Sequence, residues 1–147
     1  MKYTVHVDIN RPIKQVVELF DDPDNMYKWM RGLKEIRHLE GEPGQAGAKS
    51  RLTFVIGKRD VEMTEVIEKR NLPDEFVGIY EAGNVINRVS NKFEATGGSS
   101  TRYTSDVEFK FGSFSMKVMG WLMPGAFKKQ TLQFLYDFKD FAERDRS

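Results

Sequence analysis

The chain has 147 residues, which is the length of one domain with a sizeable core. Its 23 basic and 22 acidic residues nearly cancel, so it lacks the basic excess of an electrostatic nucleic-acid binder, and it has no cysteine for disulfides or thiol chemistry. No signal peptide is evident and no apolar run approaches the roughly 18 residues of a membrane span. We therefore expect a single cytoplasmic domain over residues 1–147, with no nucleic-acid partner and no integral membrane segment.

The N-terminal region predicts a strand followed by two short helices. Apolar and polar residues alternate over residues 2–9, which is the period of a strand with one buried face. Asn10 is a plausible helix cap, and Pro12 suits a first helical turn. The run Asp21–Asp24 ends this helix and begins a second one.

The middle of the chain predicts six further strands joined by short turns. Clusters of Gly, Pro, Asn and Asp separate alternating apolar runs. The expected strands lie around Ile36 and Leu39, and over Leu52–Ile56, Val61–Ile67, Phe76–Ala82, Val85–Ala95 and Arg102–Phe111. Consecutive strands with short turns indicate an antiparallel sheet.

The last part of the chain predicts a long helix that is interrupted at Met123-Pro124-Gly125. After the interruption, apolar residues from Phe127 to Ala142 share one side of a helix of 3.6-residue period. A helix with such an aromatic stripe needs a broad apolar surface, and the sheet can supply it. We therefore predict an α+β fold: a seven-stranded, curved antiparallel sheet wrapped around a long C-terminal helix, with two short helices after strand 1.

Several segments resemble the SRPBCC, or START-like, superfamily, and within it the polyketide cyclase/dehydrase-like group. The strongest match is Val17–Asp24, followed by Trp29-Met30 and Gly32-Leu33. Gly47–Leu52 is similar to the superfamily's entrance into the third strand, and Phe93–Thr104 is similar to its hairpin between the sixth and seventh strands. The likeness covers essentially the whole chain.

This resemblance implies a helix-grip fold that binds a small hydrophobic molecule, such as a lipid or a polyketide-like, isoprenoid or aromatic compound, between the sheet and the C-terminal helix. The superfamily shares a cavity rather than a catalytic set, so two alternatives stay open. One is a cyclase, aromatase or dehydratase that uses the same cavity, and the other is a protein-interaction module like the chaperone-activator branch. We expect no cofactor and no metal, since His6 and His38 lack ligand spacing. The oligomeric state is left open.

The inward faces of the strands and helix supply the predicted ligand lining. Polar groups on these faces need a partner, which can be a ligand, trapped water, loop backbone or one another. Methionine suits a pocket of irregular shape, although it also suits an ordinary core. The predicted ligand-binding residues are Phe54, Met63, Tyr80, Asn87, Asn91, Phe93, Tyr103, Ser105, Val107, Met116, Met119, Met123 and Phe127.

Three residues, Glu65, Tyr80 and Tyr103, are the candidates for acid–base catalysis. Strict alternation turns Glu65 inward, where burial would raise the pKa of its carboxyl. A β-bulge would instead place Val66 inside and Glu65 in water, and a position near the strand end would also expose Glu65; we favour one of these two interpretations. A buried carboxylate beside a tyrosine would favour an enzyme, whereas an entirely apolar cavity would favour a binding protein.

Overall fold

The computed structural model describes residues 1–114, 117–118 and 123–144. The helices and strands that position the site are β1 (Lys2–Ile9), α1 (Ile13–Asp21), α2 (Pro23–Trp29), β2 (Leu33–Glu40), β3 (Lys49–Ile56), β4 (Arg59–Asn71), β5 (Glu75–Ala82), β6 (Val85–Gly97), β7 (Ser100–Phe111) and α3 (Pro124–Arg144).

All seven strands form one antiparallel sheet in the order β1-β7-β6-β5-β4-β3-β2. Strands β2 to β6 are each paired with the next strand along the chain, as their short turns predict, and β7 also pairs with β1. The helices α1 and α2 carry the chain from β1 at one edge to β2 at the other. The predicted fold class is confirmed: a curved antiparallel sheet, two short helices after β1 and a long C-terminal helix.

The C-terminal helix α3 is tied to β1 near both of its ends. The Tyr3 hydroxyl donates to the main-chain oxygen of Phe127 at 3.1 Å and shares a 2.6 Å hydrogen bond with the Thr131 hydroxyl. Farther along the helix, the Lys139 ammonium donates to the main-chain oxygen of Asp8 at 2.5 Å. The helix therefore runs in the same direction as β1, above the face that carries Tyr3.

A hydrophobic core fills one end of the space between α3 and the sheet. The Phe138 side chain is 0% exposed, and its ring centroid lies 5.1 Å from Trp29, 5.6 Å from Tyr103 and 5.8 Å from Phe20. Because α1 and α2 contribute Phe20 and Trp29, these helices close the same end. We call this core the packed end; its buried members are Val5, Val7, Ile9, Val16, Trp29, Phe93, Tyr103, Leu135, Phe138 and Ala142.

The start of α1 differs from the sequence expectation. The helix begins at Ile13, and Pro12 precedes it without a side-chain capping bond, so the prediction of Asn10 as the cap is wrong. The main-chain N–H of Asn10 instead donates to the Glu143 carboxylate of α3 at 2.9 Å. The second helix start follows the prediction, because Asp22 accepts from the main-chain N–H of the residue two positions later at 3.0 Å.

We expect Phe138→Ala to lower the free energy of unfolding by about 3–5 kcal/mol, since it leaves a cavity among closely packed rings. Urea denaturation followed by circular dichroism measures the change. The matched control is Tyr136→Ala on the same helix, where the side chain is 45% exposed and the expected change is within about 0.5 kcal/mol. Equal effects at the two positions would contradict this account of the core.

Candidate functional site

A row of polar side chains crosses the middle of the sheet on the face that carries Tyr3. In the strand register Glu65 of β4 pairs with Tyr80 of β5, Tyr80 pairs with Asn87 of β6, and Asn87 pairs with Phe109 of β7. Side chains of directly paired residues stand side by side on one face of a sheet. The register therefore brings a carboxyl, a phenol and an amide together; we call Glu65, Tyr80 and Asn87 the polar row.

Glu65 faces the interior, which corrects the bulge interpretation. A bulge is present in β4, but it lies between Ile67 and Lys69, beyond Glu65. Glu65 therefore keeps the alternation of the preceding residues, and its carboxyl forms a hydrogen bond with the Tyr80 hydroxyl. Burial raises the pKa of the Glu65 carboxyl, and the bond from Tyr80 offsets part of this increase.

Tyr80 shares this environment. Burial first, and then the neighbouring Glu65 carboxylate, raise the pKa of the Tyr80 phenol well above its ordinary value. The phenol therefore remains protonated and acts as a hydrogen-bond donor to the carboxylate. Gly78 makes room for the ring, because a Cβ atom at that position would lie 3.0 Å from the Tyr80 hydroxyl and 3.1 Å from its ring.

Asn87 ends the polar row with an unpaired acceptor. Its side chain is half-buried, yet its Oδ1 atom is enclosed and has no hydrogen-bond partner. An enclosed acceptor without a partner costs on the order of 1–3 kcal/mol. A hydrogen-bond donor placed beside Tyr80 would therefore stabilise Asn87.

The other predicted polar residues form a separate, paired cluster at the packed end. Both the Tyr103 hydroxyl and the Ser105 hydroxyl donate to Asn91 Oδ1, at 2.8 and 2.9 Å. The Asn91 Nδ2 group donates to the main-chain oxygen of Phe76 at 3.3 Å. These three side chains bond to one another and to backbone, which was one of the alternatives in the sequence analysis. Burial also raises the pKa of Tyr103.

Around the polar row the inner face is less covered than at the packed end. The Phe127 ring of α3 contacts Phe109 and Phe111 of β7, with centroids 5.1 and 5.7 Å apart. These rings nevertheless keep accessible surface, whereas Phe138 keeps none. We call this region the open half; its half-buried apolar members are Val61, Met63, Val85, Val89, Phe109, Phe111 and Phe127.

The remaining predicted lining residues fall in different places. Phe93 and Val107 are buried, the former within the packed end, and Phe54 is buried near the far edge of the sheet. Met123 is 55% exposed at the start of α3. Met116 and Met119 lie outside the described residues.

Sequence analysis left Gly78, Val89 and Phe109 out of the site. The alternation along β6 and β7 could have identified Val89 and Phe109, because they share the faces of predicted residues. A glycine inside a strand was the available signal for Gly78. No pattern in the sequence predicts that Asn87 Oδ1 lacks a hydrogen-bond partner.

Neither a metal-ligand cluster nor a membrane-spanning helix occurs among the residues that the structure describes. Within residues 1–114, 117–118 and 123–144, no group of three His, Asp or Glu side chains is placed to hold a metal ion. Over the same ranges, no helix combines the length and apolar character needed to cross a membrane.

Comparison with known proteins identifies one family. The sequence model described as "Polyketide cyclase / dehydrase and lipid transport" matches residues 1–135. No curated protein matches the chain by sequence.

Solved structures share the fold at low sequence identity. Ara h 8.0201 superposes with a TM-score of 0.78 at 12% identity, over 99% of both chains. Zhui aromatase/cyclase from Streptomyces sp. R1128 gives 0.76 at 13% identity, over 98% of this chain and 94% of the other. Norcoclaurine synthase from Thalictrum flavum, in complex with dopamine and hydroxybenzaldehyde, gives 0.70 at 15% identity, over 100% of this chain and 90% of the other.

We expect Glu65→Gln to change how stability depends on pH. The unfolded chain releases the Glu65 proton near the ordinary value of 4.5, whereas the folded chain holds it to higher pH. Between the pKa of Glu65 in the unfolded chain and its higher pKa in the folded chain, the folded state binds more protons. The contribution of Glu65 to the free energy of unfolding therefore falls as the pH rises through this range. Urea denaturation of both proteins should show the wild type losing stability relative to Glu65→Gln as the pH rises above the ordinary value of 4.5. A constant difference would contradict the raised pKa.

Proposed function

Because the chain belongs to the polyketide cyclase/dehydrase and lipid transport family, we propose that it binds a small hydrophobic molecule between the middle strands and α3. The family has a fold suited to hydrophobic ligands or to cyclase and aromatase chemistry. The proposal assigns the ligand to the open half, with the polar row beside it.

One observation carries this proposal: the same inner face is filled at the packed end and left partly uncovered at the open half. Val89 and Phe109 keep accessible surface there, whereas Phe138 keeps none. Apolar surface that is accessible to solvent contributes binding energy when a ligand covers it, at about 25 cal/mol per Å² covered. Covering about 300 Å² would contribute roughly 7–8 kcal/mol before the cost of association.

A second candidate function, acid–base catalysis, is favoured by the Glu65–Tyr80 pair. A carboxyl with a raised pKa is protonated over more of the physiological range than an ordinary one. Glu65 could donate its proton to a departing hydroxyl, which leaves as water when the C–O bond breaks. The resulting carboxylate could then take the proton from the adjacent carbon as the C=C bond forms. The carboxyl is thereby restored, and Tyr80 orients it.

The structural neighbours do not decide between the two candidates. Zhui is named as an aromatase/cyclase, and norcoclaurine synthase was solved with two aromatic molecules bound. At 13% and 15% identity to this chain, these two structures share its fold, but the roles of their site residues do not transfer to it.

We expect Val89→Trp to abolish uptake of the neutral fluorescent probe N-phenyl-naphthylamine, because the larger side chain fills the open half. The control is Ile86→Trp, three residues earlier in the same strand, where the side chain lies on the outer face and is 38% exposed. Fluorescence titration of both folded variants measures the dissociation constants. Undiminished uptake by folded Val89→Trp would exclude the open half as the binding site.

We expect the protein to accelerate loss of water from a β-hydroxy ketone such as 4-hydroxy-4-phenylbutan-2-one, if the second candidate is correct. Ultraviolet absorbance of the conjugated product measures the rate. Glu65→Gln should reduce the rate to the uncatalysed level because it removes the proton donor, while the probe titration stays within about twofold. Equal rates for wild type and Glu65→Gln would remove Glu65 from catalysis.

A further inference from the structure

From the unpaired Asn87 oxygen we infer that the ligand of the open half is an apolar molecule bearing a hydrogen-bond donor, most simply a phenol or an alcohol. This inference rests on the proposed ligand binding and narrows it. On this inference, the site binds hydroxylated compounds more tightly than hydrocarbons, ethers and simple acyl chains.

The three tyrosines of the inner face already have partners. Tyr3 is bonded to α3, Tyr80 to Glu65, and Tyr103 to Asn91. Among the described residues, the enclosed side-chain atoms without a partner are Asn87 Oδ1 and Trp29 Nε1. The Trp29 ring belongs to the packed end, against Phe138, so it is not part of the open half. Asn87 Oδ1 is thus the atom to which a ligand can supply the missing hydrogen bond.

The position of Asn87 determines what it can select. It lies between Tyr80 and Phe109 in the register, at the boundary between the polar row and the phenylalanine rings. An aromatic or alicyclic skeleton on those rings places a substituent beside the amide. Because the Asn87 side chain is half-buried, its amide can turn about its terminal bond and present Oδ1 to the accessible side.

The chemistry at Asn87 distinguishes donors from acceptors. A hydroxyl can donate to Oδ1 and still accept from the amide Nδ2 group or from Tyr80. An ether oxygen or a carboxylate can only accept, so Oδ1 stays unpaired beside it.

The test compares three probes of one skeleton: 2-naphthol, 2-methoxynaphthalene and naphthalene. Their dissociation constants are measured by fluorescence titration with the wild type, with Asn87→Leu, and with Asn71→Leu as the same change at an exposed asparagine. We expect the wild type and Asn71→Leu to bind 2-naphthol at least about tenfold more tightly than 2-methoxynaphthalene. In Asn87→Leu, we expect this preference to fall to about twofold or less, with naphthalene bound as tightly as before or more tightly.

The outcomes separate this inference from the proposed function. If the wild type binds naphthalene and 2-methoxynaphthalene as tightly as 2-naphthol, the open half binds ligands but the inference is overturned. A naphthol preference that persists in Asn87→Leu overturns it as well, because another group then supplies the acceptor. If none of the three probes binds the wild type, the proposed function fails and the inference fails with it. If Asn87→Leu does not fold, the comparison of the three probes with the wild type still tests the inference.

Discussion

The attachment of α3 to β1 determines where the interior is filled and where it is not. The Tyr3–Thr131 and Lys139–Asp8 hydrogen bonds hold the helix along one edge strand of the sheet. With the helix held there, Phe138 meets the rings of α1, α2 and β7 and completes a core at one end. The middle strands at the other end receive only Phe127 among the described ring contacts from α3. The position of α3 therefore accounts both for the filled core at the packed end and for the less covered candidate site.

The site combines features that would weaken an ordinary core. A carboxyl with a raised pKa, an unpaired amide oxygen and a glycine in mid-strand each reduce stability or packing. All three lie on neighbouring strands of the inner face, where Glu65 and Asn87 are half-buried and Gly78 is buried. The packed end, in contrast, pairs its polar groups: Asn91 accepts from both Tyr103 and Ser105. Such a concentration of unfavourable features in one region is what functional sites commonly show.

Most of the fold could be predicted from the sequence because its signals are local. Alternation and turn residues located all seven strands within a few residues, and the Asp-Pro run located α2. The facing of Glu65 could not be predicted, since it depends on whether the β4 bulge comes before or after it. Likewise, the pairing of Asn91 with Tyr103 and the lack of a partner for Asn87 are set by neighbours on other strands. Family resemblance supplied the idea of a ligand, and the strand register supplied the residues around it.

The glycine of β5 has an implication for how related chains could diverge. At Gly78 the backbone carries a hydrogen where a methyl group would press on the Tyr80 phenol. Any larger residue there must tilt that ring and, with it, the group bonded to Glu65. A relative could thus change the shape of this part of the inner face and the acidity of Glu65 through one small replacement, with no rebuilding of sheet or helix.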